Sequence, residues 1–206
     1  RLSNIIFQND LQISSNKSYN SPYGTFLDYS KINAYLTPYD NEGNLVKVLE
    51  DYTYNNISRM DLRRQFVYNP LYNAMLPQRN EGRYTQITNN FSTEWSIAPE
   101  LTFRGRLSVS SQTNRSDRYI SAKDTMFDNY IGEDFIRKGI YAYGTGNSLN
   151  YDADLTLNYN NIFADKHNLF VGLGYNIAEN TSESYSITAE GISNINMDFL
   201  GMAGYY

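Results

Sequence analysis

The chain of 206 residues contains no cysteine, which excludes disulfides and thiolate metal sites. A single histidine, His167, leaves no imidazole cluster to bind a metal. No run of about 18 apolar residues occurs, so no segment reads as a transmembrane helix. Lysine and arginine form no block and the net charge is −5, which argues against a nucleic-acid partner. Tryptophan occurs once, beside 20 tyrosines and 10 phenylalanines. Asparagine and serine are abundant. Tyr, Asn and Ser together suit strands with one wet face and loops that meet polar ligands. The sequence opens on Arg1 without a visible signal peptide, and we read it as a piece of a larger protein.

What the chain does have is alternation. In residues 150–160 the odd positions are Tyr151, Ala153, Leu155, Leu157 and Tyr159, and the even positions are all Asn, Asp or Thr. A period of two is the strand period and gives one greasy and one polar face. Five stretches carry it: residues 2–15, 84–97, 101–113, 149–160 and 167–179. The first has Ile5, Phe7, Leu11 and Ile13 on odd positions, with Asn9 and Ile6 breaking the rule. Ala98-Pro99-Glu100 and Ala164-Asp165-Lys166 read as short turns, and residues 16–83 and 114–148 as long polar loops. Short turns therefore fall on one side and long loops on the other, the mark of an outer-membrane barrel. Each strand exceeds the roughly 9–11 residues a tilted membrane strand needs. Trp95, Phe103 and Tyr159, near the short turns, fit an interfacial aromatic girdle. The expected fold is all-β: a segment of a large antiparallel transmembrane β-barrel with about five strands, short periplasmic turns and long extracellular loops. Residues 1–206 are taken as one partial barrel domain without the plug or the remaining barrel. From the pattern alone, a soluble carbohydrate-binding β-sandwich stays open, as does a non-transporting adhesive surface barrel.

Several linear motifs add to this. They are Asn20-Ser21-Pro22-Tyr23-Gly24-Thr25-Phe26-Leu27-Asp28-Tyr29, Pro38-Tyr39-Asp40-Asn41-Glu42-Gly43-Asn44-Leu45 and Tyr68-Asn69-Pro70-Leu71-Tyr72-Asn73-Ala74. Thr88-Asn89-Asn90-Phe91 and Phe163-Ala164-Asp165-Lys166-His167-Asn168-Leu169 follow. In this order and spacing the chain resembles the SusC/RagA-like TonB-dependent outer-membrane transporters of Bacteroidetes, over the early part of their barrel. The resemblance implies a plugged barrel in the outer membrane of a Gram-negative bacterium. It also implies energising by TonB through parts absent here, and a SusD-like surface lipoprotein as partner. It implies import of oligosaccharides or peptides.

No catalytic constellation stands out, so the chain is read as no enzyme, and no cofactor is expected. His167 has no second His or Cys and is read as structural. Asp152 and Asp154 share one strand face, where acid–base work is weighed against the plainer role of wet lumen residues; the latter is preferred. Gln86, Glu94, Arg104 and Arg106 join them as lumen-facing polar residues. If residues 98–100 close the hairpin, Glu94 falls opposite Arg104, a pair worth roughly 0.2–1 kcal/mol that fixes register. Residues 40–44 resemble a fragment of a calcium loop but lack its spacing and terminal Glu, so a plain turn is expected. The ligand candidates are loop aromatics: Tyr23, Tyr29, Tyr39, Tyr68, Tyr72, Tyr141 and Tyr143, with Tyr19 and Tyr35 beside them. A flat ring with a hydroxyl stacks on a ligand face and hydrogen-bonds its edge.

Overall fold

The computed structural model describes residues 4–56, 61–196 and 200–205. Residues 2 and 3 of the first expected strand lie outside them. Among the described residues the elements are β1 (Ile5–Tyr19), α1 (Phe26–Ser30), β2 (Val48–Asn56), β3 (Asp61–Tyr68), α2 (Pro70–Ala74), β4 (Arg79–Ala98), β5 (Leu101–Ile120), β6 (Ile140–Phe163) and β7 (His167–Glu190). Short 3-10 turns lie at Thr125–Phe127, Gly132–Arg137 and Leu200–Met202. Five strands form one sheet in the order β1-β4-β5-β6-β7, and β2 pairs with β3 in a second, antiparallel sheet.

The five expected strands are the five of the large sheet. The starts of β5 at Leu101 and of β7 at His167 fall where the alternation begins. Every strand runs further than expected on the long-loop side. β5 continues to Ile120, β6 begins at Ile140 and β7 continues to Glu190. The loop expected at 114–148 therefore shrinks to residues 121–139. The extra residues of β5 carry little apolar alternation, whereas Tyr185, Ile187 and Ala189 continue it in β7. Backbone pairing with a neighbour holds them in strand, and that does not depend on side-chain pattern. The segment expected as one long loop, residues 16–83, is also corrected. It contains α1, β2, β3 and α2, and the ends of β1 and β4 reach into it.

The chain divides into two compact units. One holds residues 1–17, 82–115 and 144–185; the other holds 18–81, 116–143 and 186–206.

In the first unit the strands largely follow parity, with Ile6 and Phe170 as apolar exceptions on the even face. Ser96 N donates to Asn4 O at 2.8 Å and Asn160 N to Glu100 O at 2.8 Å, which ties β1 to β4 and β5 to β6. Side chains confirm the β4–β5 register: Asn90 with Ser108 at 2.7 Å and Thr88 with Ser110 at 3.0 Å. The expected Glu94–Arg104 pair forms at 3.0 Å. On the odd face Phe7 stacks on Phe91, ring centroids 5.9 Å apart. Gly105 sits on that face too: a Cβ there would lie 3.2 Å from Thr93 Cγ2 and 3.5 Å from Leu155 Cδ2. The β6–β7 turn is sharp, with Ala164 and Asp165 both at positive φ, 52° and 54°. That conformation suits hairpin turns but strains a residue with a Cβ.

The second unit packs around a few residues. Tyr119, Tyr141 and Ile192 are buried together, with Tyr143, Ile195, Leu200 and Ala203 against them. Phe127 is 1% exposed and meets Tyr130 edge-on at 5.2 Å. Asn69 is equally buried and fully used: its Nδ2 donates to Pro38 O and Val46 O, and its Oδ1 accepts from Leu71 N. This last bond caps α2, whose first residue is Pro70, a residue suited to that position because the first helical N–H needs no partner.

Candidate functional site

Two surfaces carry polar chemistry, one in each unit. The first is the even face of the large sheet. Gln86 Nε2 donates to Ser110 Oγ at 3.1 Å, Arg106 to Asp154 at 3.0 Å, and Asn176 to Asp152 at 3.4 Å. The six residues expected on one wet face, Gln86, Glu94, Arg104, Arg106, Asp152 and Asp154, all take even positions of these strands. Asp152 and Asp154 each have a separate partner, Asn176 and Arg106. A hollow of about 570 Å³ opens on this face, lined by Gln8, Ser92, Glu94, Arg104, Arg106 and Asp154 among others. The guanidinium of Arg106 is largely exposed, and such exposed pairs add at most about 1 kcal/mol.

The opposite, odd face is apolar and uncovered. Ile87, Phe91, Trp95 and Ile97 on β4 are exposed, as are Leu107 and Val109 on β5, Leu155 on β6, and Leu169, Val171, Leu173, Tyr175 and Ile177 on β7. Monomeric soluble proteins rarely leave so large a contiguous apolar face open. An outer-membrane wall does so by construction, because lipid covers it.

The second surface belongs to the other unit. A hollow of about 430 Å³ is lined by Tyr23, Asp28, Lys31, Tyr68, Gln78 and Asp124, with Asn69 and Asn73 also present. Local chemistry builds it. Asp28 closes a capping box on α1: its Oδ2 accepts from Thr25 N at 2.7 Å and from Thr25 Oγ1 at 2.8 Å. The Thr25 backbone bond, the Thr25 hydroxyl and the charge of Lys31 hold the Asp28 carboxyl below the usual carboxylate range. Asn73 bridges the second element: its Nδ2 donates to Asp124 and to Thr125 Oγ1, and its Oδ1 accepts from Thr125 N. Lys47 pairs with Asp128 and lies over the Tyr72 ring. Tyr68 is pushed above the usual tyrosine range, chiefly by burial, then by Asp128.

The expected ligand aromatics separate on this ground. Tyr23 and Tyr68 line the hollow. Tyr29 neighbours Tyr23 and Asp28 electrostatically, and its hydroxyl is buried without a hydrogen-bond partner. Tyr72 is on α2, beneath Lys47. Tyr39 flanks a turn and bridges to Leu45. Tyr35 projects at 93% exposure. Tyr141 and Tyr143 are corrected: both lie in β6, not in a loop, and Tyr141 is 5% exposed in the core. Tyr19 likewise closes β1. Sequence reasoning misses two exposed aromatics, Tyr52 and Tyr54, which neighbour each other on β2. Their alternation is visible in the sequence, but no short-turn signal stands beside it.

The Asp40 turn is the plain turn expected. Asp40 Oδ1 accepts from Glu42 N at 2.9 Å and Asn44 N at 2.8 Å, so that oxygen serves its own backbone. Among the described residues no group of three His, Asp or Glu side chains is placed to hold a metal. His167 is exposed at the start of β7.

Sheet order, parity and the open apolar face define an all-β barrel segment of the outer-membrane type. The comparison with solved structures gives the same architecture. The chain is similar to a chain in the structure of the RagAB peptide importer in the closed-closed state, with a TM-score of 0.70 and 14% identity over 99% of this chain. It is also similar to a chain in the structure of the RagAB peptide transporter, with a TM-score of 0.59 and 15% identity over 82% of this chain. The chain spans about a fifth of their length, 22% and 17%. No protein-family model and no curated protein matches the sequence.

Proposed function

We propose that this chain is part of the wall of a TonB-dependent outer-membrane importer. In this reading the importer takes up oligosaccharides or peptides together with a SusD-like surface lipoprotein. The observation that carries it is the sorting of side chains by parity: an exposed apolar face, a hydrated face with paired charges, and a fold shared with a transporter barrel. The odd residues meet lipid, and Gln86, Glu94, Arg104, Arg106, Asp152 and Asp154 meet the lumen. The two short turns mark the periplasmic rim. Residues 20–78 and 121–139 then lie outside the cell, where substrate and lipoprotein arrive. TonB acts through parts of the protein beyond this chain. The reading is of a transporter and not an enzyme, in keeping with structural neighbours that are a peptide importer and a peptide transporter.

The test places single cysteines in the full-length protein in its native membrane. Cysteine at Leu155 should react with a lipid-phase probe and cysteine at Thr156 with an aqueous one. The reverse pattern rules out this register, because a one-residue slip inverts both faces. Aqueous reaction at both positions rules out the membrane wall. Growth on candidate oligosaccharides and peptides, with and without residues 121–139, then tests import. A strain that grows equally well on all of them without the whole protein rules out the importer.

A further inference from the structure

Among the described residues lining the hollow beside α1 there is one cation, Lys31, whose charge acts on Asp28 without closing an ion pair. Asn69 and Asn73 spend their side-chain amides on the protein, and Gln78 Nε2 donates to Asn73 O at 2.8 Å. Lys31 differs. It is exposed at the C-terminal end of α1, lines the hollow, and makes no hydrogen bond or ion pair among the described residues. The ring of Tyr23, 48% exposed, stands on the same rim. Asp28 and Asp124 line the same hollow. What the site offers a ligand is therefore charge of both signs and an aromatic ring, with the amides that would read sugar hydroxyls already committed. A peptide end meets all three at once: a carboxylate for the cation, amide N–H donors for the acids and a last side chain for the ring.

We propose that Lys31, Tyr23 and the acidic groups of Asp28 and Asp124 form a receiving site for the carboxylate end of a short peptide. The inference rests on the importer reading and narrows its substrate class. Lys31 pairs with the terminal carboxylate, Tyr23 covers the last side chain, and Asp28 or Asp124 accepts from the backbone N–H groups behind it.

The test uses the full-length protein in detergent and fluorophore-labelled pentapeptides ending in a free carboxylate or in a carboxamide. The wild type should bind the free acid at least about tenfold more tightly than the amide, the scale of one charge-assisted contact of about 1.4 kcal/mol. Lys31→Met should bring the acid down to the level of the amide, and Lys31→Arg should restore most of the difference. The side chain is exposed, so neither substitution disturbs folding. Equal binding of acid and amide by the wild type overturns the proposal. So does discrimination that survives in Lys31→Met, or displacement of the acid peptide only by a neutral hexasaccharide. In each case the importer reading stands if the cysteine-labelling pattern and nutrient-dependent growth hold, and falls only if those fail.

Discussion

The sheet wall and the loop cluster are built by different rules. In the wall, one rule repeated every two residues dominates: odd positions are mostly apolar and even positions mostly polar, with Ile6, Asn9 and Phe170 as exceptions, and contacts such as Arg106–Asp154 and Glu94–Arg104 follow from register. No single side chain there is indispensable. In the loop unit no period operates. A handful of buried residues, Phe127, Ile192 and Asn69, each makes contacts that nothing else replaces. A periodic wall spreads its stability, while an aperiodic cluster concentrates it. The difference predicts where substitutions hurt.

The largest effect is expected at Phe127, which is 1% exposed. Phe127→Ala should lower the local opening free energy of the loop unit by about 3–5 kcal/mol, the usual result of emptying a buried aromatic site. Hydrogen exchange of the full-length protein reads this directly. Peptides covering residues 121–130 should lose protection, while those covering 101–113 should not. Equal loss in both would mean that the two regions open together and that the contrast is wrong.

The wall has its own break point. Leu155→Arg places a charge on the face read as lipid-covered and should cost about 2–4 kcal/mol near the bilayer midplane. Thr156→Arg, one residue along, places the same charge on the hydrated face and should be close to neutral. Refolding of the full-length barrel into vesicles under denaturant measures both. Equal costs at the two positions would remove the parity argument on which the wall rests.

How much of this was legible in the sequence follows the same division. The strand cores and both short turns were readable because alternation and turn chemistry are local signals. The Glu94–Arg104 pair was readable because register follows from the turn. The extension of β5 was not: Asn114, Arg115, Ser116, Asp117 and Arg118 in succession show no greasy face before Tyr119, and cross-strand backbone bonds hold them. Nor was the hollow. Tyr23, Asp28 and Lys31 are far in sequence from Asp124, and long-range contacts such as Asn73 to Asp124 and Thr125, and Lys47 to Asp128, bring the segments together. Asn69 was visible as part of a motif. Its burial and its bonds to Pro38 O and Val46 O depend on a fold of residues 38–69 that no periodic pattern announces.

The smallest effect, and the finest test of the contrast, is a pH response confined to the loop unit. Asp40 is held below the usual carboxylate range, first by the backbone N–H of Asn44, then by the Asn44 side chain and by the N–H groups of Glu42 and Gly43. These bonds favour the ionised form, so the folded pKa lies below the unfolded one. A group of this kind contributes stability that is fully present above the unfolded value, about 3.9, and is lost as pH falls from there through the lower folded value. Between pH 7 and pH 5 the protection of the Asn44 amide, corrected for intrinsic exchange, should stay flat, and below about pH 4 it should fall. Asp40→Asn keeps an oxygen in the same place and removes the titration, so its turn should hold steady across the whole range. Because Asp40 is fully exposed, the change should remain within residues 38–46. If Asp40→Asn shows the same acid response as the wild type, the turn is not governed by its carboxylate, and the loop unit loses one of the single-residue dependences that set it apart from the wall.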